Sequence, residues 1–355
     1  LLSRRQRQMC IRDRKQGAPF LGADGRYYFF RNDGLKNQSV LYRSDKPVGG
    51  KEEVFLDPNS LSDDGTVALT GTSMSNDGRY MAYTISRSGS DWTEIYVLDT
   101  ETGRLLDDHI EWAKFTDAAW CKDGFFYSAY DRPVAGKEFS NANENHRIYY
   151  HKLGTPQSSD VLAFEDKEHP LHFHTAYVPE NERSLFVFVG GQGFGEGMMV
   201  KDLTRPDAKW VVMEPSQDYS NSVVDVIGDD VYILTSADAQ RNRLVKAPLS
   251  NPVRANWQTV VPEQEGVLTG VSRSGNDLIL TYEKDASVYP AVYSLDGSKI
   301  RDIELPTYGT VGISSSAKSD EVFYNFASFL YPSSIYAFDK TTGESRLLTK
   351  PEIKN

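Results

Sequence analysis

The chain has 355 residues, 39% of them hydrophobic, so it can bury a full core; the length suits two ordinary domains or one large all-β unit. A net charge of −11 argues against a phosphate-binding surface, and no apolar run approaches the roughly 18 residues needed to cross a membrane, so neither nucleic acid nor a membrane is an expected partner. Two cysteines, Cys10 and Cys121, are too few for a disulfide framework or a cysteine zinc cluster.

Residues 1–14 hold five arginines and one aspartate, a local charge of +4 against −15 for the rest. They show no strand alternation, and no apolar run of a secretory signal follows them. They read as a non-native or a disordered arm and are set aside from fold reasoning.

From there the chain repeats. A β-rich run carrying an aromatic or aliphatic pair, followed by a polar turn, recurs at Leu41-Tyr42, Ile95-Tyr96, Ile148-Tyr149, Met198-Met199, Leu244-Val245, Ala291-Val292 and Ile335-Tyr336. The spacings are 54, 53, 50, 46, 47 and 44 residues. Seven units of about 49 residues predict an all-β, seven-bladed β-propeller with four-stranded antiparallel blades. The blades fall at 22–65, 66–111, 112–167, 168–217, 218–263, 264–306 and 307–352 within a domain spanning 15–355. Unit two is the clearest. Asn76-Asp77-Gly78 turns, Arg79–Thr84 runs as a strand, Ile95–Asp99 runs as the next, and Thr100–Gly103 turns again. Twenty Tyr and 17 Phe suit strands. Each blade is complete in its own stretch, so closure rests on packing between the first and last blades, and a single blade is not expected to be stable alone.

Chemistry is sparse. A nucleophile elbow, Gly-x-Ser-x-Gly, is absent; Gly71-Thr72-Ser73 continues into Met74-Ser75 and a strand, so no catalytic residue is expected in this chain. The only histidine cluster is His169, His172 and His174. His172 and His174 point to one side of a strand, but no acidic or cysteine ligand sits at matching spacing, so no metal and no cofactor is expected. The run from Gly190 to Gly197 is followed by a strand, not a helix, and reads as a flexible hairpin in preference to a phosphate loop.

Several phrases, in order, resemble the propeller of the prolyl oligopeptidase family. They are Phe29-Phe30-Arg31-Asn32-Asp33-Gly34, Phe55-Leu56-Asp57-Pro58-Asn59-Ser60-Leu61-Ser62-Asp63-Asp64-Gly65, Ser86-Arg87-Ser88-Gly89-Ser90-Asp91-Trp92, Tyr149-Tyr150-His151-Lys152-Leu153-Gly154-Thr155, and Phe323-Tyr324-Asn325-Phe326-Ala327-Ser328-Phe329-Leu330-Tyr331-Pro332. The resemblance covers about residues 20–352. It implies a serine endopeptidase that hydrolyses short proline-containing peptides after proline. Its catalytic Ser, Asp and His would lie in an α/β-hydrolase domain of the same polypeptide, absent from this sequence, so the chain alone is expected to be inactive. It implies that the propeller filters substrates and walls the pocket. Phe115 matches a family pocket phenylalanine, and Phe173 falls at an apolar pocket position; the alternative for both is a strand residue packed between blades. The polar segment 131–147, with Asp131, Arg132, Lys137, Glu138, Asn145, His146 and Arg147, matches a mobile loop between domains and reads as a gating loop or as a plain surface insertion. The family's substrate-contacting arginine would fall near Gly190-Gly191, where this chain has glycines. The expected compartment is the cytoplasm, with the periplasm open. The rival function is a stand-alone propeller serving as a binding or scaffold module.

Overall fold

The computed structural model describes residues 15–136, 143–329 and 331–350; the arm at 1–14 lies outside them. Among the described residues the only helical turns are three short 3-10 segments, Pro58–Ser60, Gln157–Ser159 and Arg254–Asn256. No helix is long and apolar enough to cross a membrane.

The remaining regular structure is antiparallel sheet. Four sheets have four strands each, taken consecutively from the chain. They run Phe173–Tyr177 to Val211–Glu214, Asn221–Ile227 to Gln258–Val261, Val267–Ser274 to Lys299–Asp302, and Thr310–Ser316 to Ser345–Thr349. In the first sheet Tyr27–Asn32, Val40–Ser44 and Glu52–Leu56 follow one another, and two short strands, Lys15–Gln16 and Phe20–Leu21, share the free edge of Tyr27–Asn32. These two strands precede residue 22, where the repeat pattern had placed the start. The remaining sheet, second in chain order, has eight strands, from Val67–Met74 to Val161–Glu165. Its two halves are joined by one residue pair, Ala113 with Ala129.

The repeated sequence phrase has a physical meaning here. At Leu41/Tyr42, Ile148/Tyr149, Met198/Met199 and Ile335/Tyr336 the strand register shifts between the two residues. A bulge of this kind adds twist to the third strand where it meets the fourth. The first residue of each pair is wholly or almost wholly buried. Where the second is tyrosine, it stacks on the aromatic residue directly opposite in the second strand. The pairs are Phe29–Tyr42, Tyr83–Tyr96, Tyr127–Tyr149 and Tyr324–Tyr336, with ring centroids 5.6, 5.5, 5.8 and 5.0 Å apart. Cross-strand aromatic pairs of this kind are worth about 0.2–1 kcal/mol each.

The turns repeat as well. Asp99 and Asp339 each accept backbone N–H bonds through the side chain, from Thr102 at 2.9 Å and from Thr341 and Thr342 at 2.7 and 3.1 Å. Four residues on, Gly103 and Gly343 take the left-handed conformation that closes the turn, at φ 70° and 83°.

The chain packs as two units. Among the described residues, one comprises those within 15–65, 238–245 and 259–350, and the other those within 66–237 and 246–258. In the first, Ile279 and Val292 from one sheet meet Val322, Tyr324 and Phe338 from the next. Lys340 pegs the same two sheets, its Nζ donating to Ser274 O, Asp277 and Asp320 at 2.7, 2.9 and 2.8 Å. The first and last sheets also touch within this unit. Ser314 donates to Pro19 O at 2.7 Å, Tyr27 donates its hydroxyl to Glu321, and the Tyr27 and Phe323 rings meet edge-on.

In the second unit, Ile95, Val97 and Ile110 pack on Trp120, Phe125 and Tyr127, and Phe126 and Ile148 pack on Leu185 and Val187. A charged cluster is sealed beneath. His151 is fully buried and faces a carboxylate on each side, Asp160 from Nδ1 at 2.7 Å and Asp108 from Nε2 at 2.9 Å. Tyr127 donates to Asp160 at 2.7 Å and Gly154 N–H to Asp108 at 2.6 Å. Two carboxylate partners require both ring nitrogens to donate, so His151 is an imidazolium. Burial alone would lower its pKa, but the bonds to Asp160 and Asp108 outweigh it, and the pKa is raised. A raised histidine pKa gives stability that is complete below the unfolded value of about 6.5 and is lost as the pH climbs through the folded value. Denaturant midpoints of the chain should therefore fall as the pH rises above about 6.5, and Asp108→Ala should cost about 1–3 kcal/mol by leaving the buried His151 Nε2–H without an acceptor while Asp160 still holds Nδ1; a flat midpoint across that window would contradict the charge assignment.

Candidate functional site

The strand Leu105–Ala113 ends in a backbone that few side chains adopt: Trp112 and Phe115 have φ of 60° and 52°. Left-handed bulky residues are strained, and such strain gathers where a side chain must be aimed. Here it brings Phe115 out half-exposed, with Lys114 folded beneath it and almost fully buried. The Lys114 ammonium lies 5.2 Å from the centre of the Trp92 ring and 5.4 Å from that of Phe115, within cation–π range, and 3.6 Å from Asp91. Trp92 in turn meets Trp112 and Tyr130 edge-on.

Phe173 opens the strand Phe173–Tyr177. Its ring lies 5.3 Å from that of Phe115, so two aromatics 58 positions apart form one shelf. Neither is a core residue packed out of reach. Gly190 makes room for Phe173. The two are register partners, and a Cβ on Gly190 would sit 2.3 Å from the Phe173 ring.

A buried histidine pins the shelf from behind. His146 donates from Nε2 to the Lys114 carbonyl at 2.9 Å and accepts the His174 N–H at Nδ1 at 2.8 Å. Burial lowers its pKa to about 4 and lowers that of His174 as well, so both rings are neutral near pH 7. His174 donates from Nδ1 to the His146 carbonyl at 3.0 Å. The segments around residues 114, 146 and 174 are thus tied through backbone groups.

The segment 131–147 is exposed at its start and held at its end. Residues 131–136 carry no strand and are exposed apart from Pro133. Asp131 pairs with Arg147 at 2.7 Å, and Arg132 lies over the Trp112 ring at 5.7 Å. Asn145 is fixed by its N–H to Pro170 O at 2.7 Å, His146 is buried, and Arg147 begins the strand Arg147–Lys152. Asn145 and His146 carry no regular structure yet are tied to neighbouring segments through Pro170 O, Lys114 O and the His174 N–H, while Arg147, at the start of its strand, pairs with Asp131 and Glu165. Lys137 and Glu138 lie outside the described residues.

The glycine-rich run joins the strands Ser184–Gly190 and Gly197–Asp202, as a hairpin would, but it is not loose. Gly195 and Glu196 donate to Gln217 O and Tyr219 O at 2.8 and 2.9 Å. A Cβ on Gly193 or Gly195 would come within 2.0 and 1.9 Å of those carbonyls, so these glycines serve close backbone approach. The histidine spacing was also incomplete as a guide. A turn, not a strand, precedes Phe173, and it folds Asp166 back to 3.5 Å from His172 Nδ1. Sequence reasoning passed over Lys114, Trp112 and Asp166; only the Trp92 phrase gave a signal for this corner.

The family description "Prolyl oligopeptidase, N-terminal beta-propeller domain" matches residues 6–351. The prolyl endopeptidase of Elizabethkingia meningoseptica is 38% identical over 343 residues, which are 96% of this chain and 48% of that protein. The dual function macrocyclase-peptidase POPB of Galerina marginata is 29% identical over 363 residues, 94% of this chain and 49% of that one. A solved prolyl endopeptidase structure superposes with TM-score 0.83 at 30% identity, covering 97% of this chain and 51% of the other. Prolyl oligopeptidase B from Galerina marginata, bound to a 25mer macrocyclization substrate, superposes with TM-score 0.87 at 26% identity, covering 97% and 52%. The chain spans about half the length of the relatives it matches. It belongs to the prolyl oligopeptidase family, as the N-terminal β-propeller domain of that family.

Proposed function

We propose that this propeller filters peptides and walls the substrate pocket of a serine endopeptidase that cleaves short peptides after proline. The observation that carries the reading is the Phe115–Phe173 shelf, two aromatic rings 5.3 Å apart at strand ends, in a chain of this family. Proline offers a flat apolar ring and no N–H at its own position, so an aromatic shelf recognises it without needing a hydrogen-bond partner. The exposed residues 131–136 border Trp112 on the same corner and are read as the gating part of 131–147, with the anchors at Asn145, His146 and Arg147 limiting how far that segment moves.

Acyl transfer would fall to a Ser-His-Asp triad in an α/β-hydrolase domain of the same polypeptide, the serine attacking the carbonyl of the proline residue and the histidine passing its proton to the leaving amine. The propeller's contribution is binding and exclusion. A shelf tied from behind by the hydrogen bonds of His146 suits that work, because positioning residues must not move with the substrate.

Seven blades are the arrangement proposed for the domain. The eight-stranded sheet is read as two blades of four whose strands pair only at Ala113 and Ala129, which with the other five sheets makes seven. The cytoplasm is the proposed compartment; a reducing environment suits Cys121, which is buried and in no disulfide.

Two results are expected. The 355-residue chain alone should leave a proline-containing chromogenic peptide uncut, and genuine turnover would contradict this placement of the chemistry. In the polypeptide that carries this propeller with a hydrolase domain, Phe115→Ala should raise KM for such a peptide by about tenfold with kcat little changed, as loss of one aromatic contact predicts; an unchanged KM would remove Phe115 from the pocket.

A further inference from the structure

The turn that leads into Phe173 gathers three metal-ligating side chains. Asp166, His172 and His174 each offer a ligand atom, a carboxylate oxygen or a ring nitrogen, within 4.8 Å of the other two; the ring nitrogens left unpaired are His172 Nδ1 and His174 Nε2. The two histidines are 6% and 1% exposed. Each of these two ring nitrogens is buried and has no hydrogen-bond partner in the protein. An unsatisfied buried polar atom costs about 1–3 kcal/mol, so two of them side by side against a carboxylate call for a reason.

The surroundings prepare the groups for a cation. His174 gives its Nδ1 proton to the His146 carbonyl at 3.0 Å, which leaves a bare lone pair on Nε2 and fixes the ring. Asp166 is held in turn. One of its oxygens accepts the N–H groups of Glu168 and His169 at 3.0 and 3.2 Å, and the other faces His169 Nδ1 at 2.9 Å. Two imidazoles and one carboxylate are a donor set for zinc and its neighbours.

We propose that Asp166, His172 and His174 bind one divalent transition metal of the zinc type, with a fourth position left to water. Bonds of about 2 Å put ligand atoms roughly 3.3 Å apart, so binding draws the Asp166 turn inward by about an ångström. The separation of Asp166 and His172 Nδ1, 3.5 Å, is already near that value. His172 must change its proton. Gln217 Nε2 lies 3.3 Å from His172 Nε2 while Gln217 Oε1 accepts the Gln192 N–H at 2.8 Å, so in the metal-free protein the imidazole proton is on Nδ1. On binding, that proton leaves to solvent, Nε2 takes one up from solvent, and the Gln217 amide turns over to accept it, giving up Gln192. The bound metal then clamps the turn before Phe173 to the strand that carries it.

The test uses the full chain stripped with a chelator. Zn²⁺ is titrated by calorimetry, Co²⁺ by visible absorption, and thermal melts are run with and without Zn²⁺. One equivalent of Zn²⁺ should bind, Co²⁺ should show the intense bands of a four-coordinate nitrogen–oxygen site, and Zn²⁺ should raise Tm by mass action. His174→Gln should abolish binding, Asp166→Asn should weaken it by roughly tenfold or more, and His109→Gln, remote from the cluster, should leave it unchanged. Absence of stoichiometric binding to the unaltered chain would overturn the proposal. So would unchanged binding in Asp166→Asn, a half-buried turn position that remains informative should the His174 variant fail to fold.

Discussion

A four-stranded sheet with apolar side chains on both faces cannot stand in water, and the burial of both faces is the constraint on which the rest of this structure depends. Ile95 and Val97 lie against the aromatic residues in the other half of their eight-stranded sheet, Phe126 and Ile148 lie against Leu185 and Val187, and Val292 lies against Tyr324 and Phe338. Fully burying side chains of this size contributes about 1.5–3 kcal/mol each, so no sheet can lose its neighbour without losing much of its own stability. Twist is what lets flat ladders pack in succession, and the bulges in the third strands supply it where the sheet turns to its fourth strand.

Much of this was legible because the constraint writes itself into the chain at a fixed interval. The pairs Leu41-Tyr42, Ile148-Tyr149 and Ile335-Tyr336 recur since one residue must enter the core, the next must stack on the second strand, and the bulge lies between them. Asp99 and Gly103, and again Asp339 and Gly343, announce the same turn because a carboxylate must take the free N–H groups and a glycine must take the left-handed step. Lys15–Gln16 and Phe20–Leu21 escaped because two-residue strands leave no alternation to read. The Asp108–His151–Asp160 cluster escaped for a different reason: its three members are dispersed along the chain and only strand pairing brings them together.

The candidate site divides in the same way. Phe115 and Phe173 were found through family phrases, not through any periodicity, and no local rule would have paired them. Their meeting depends on a strained corner at Trp112 and Phe115, and on a glycine at 190 that clears the ring. His146 does lie between strands, as its polar neighbours suggest, yet it is buried, and both its nitrogens find backbone partners. Asp166 stayed hidden because strand alternation relates His172 to His174 but does not describe the turn that carries the carboxylate back to them. A common physical theme joins these cases. His146 and His174, both neutral and hydrogen-bonded, hold segments that are distant in sequence, and the aromatic shelf sits on what they hold.

The most direct test of the shelf as a peptide-binding surface is photo-crosslinking in the polypeptide that carries this propeller. A short peptide with a photoreactive group beside its proline would be irradiated in the complex, and the adducts mapped by mass spectrometry. The account predicts adducts on the segments around Phe115 and Phe173, competed away by an unlabelled proline peptide. Competed adducts confined to other segments, with none around these two residues, would contradict it.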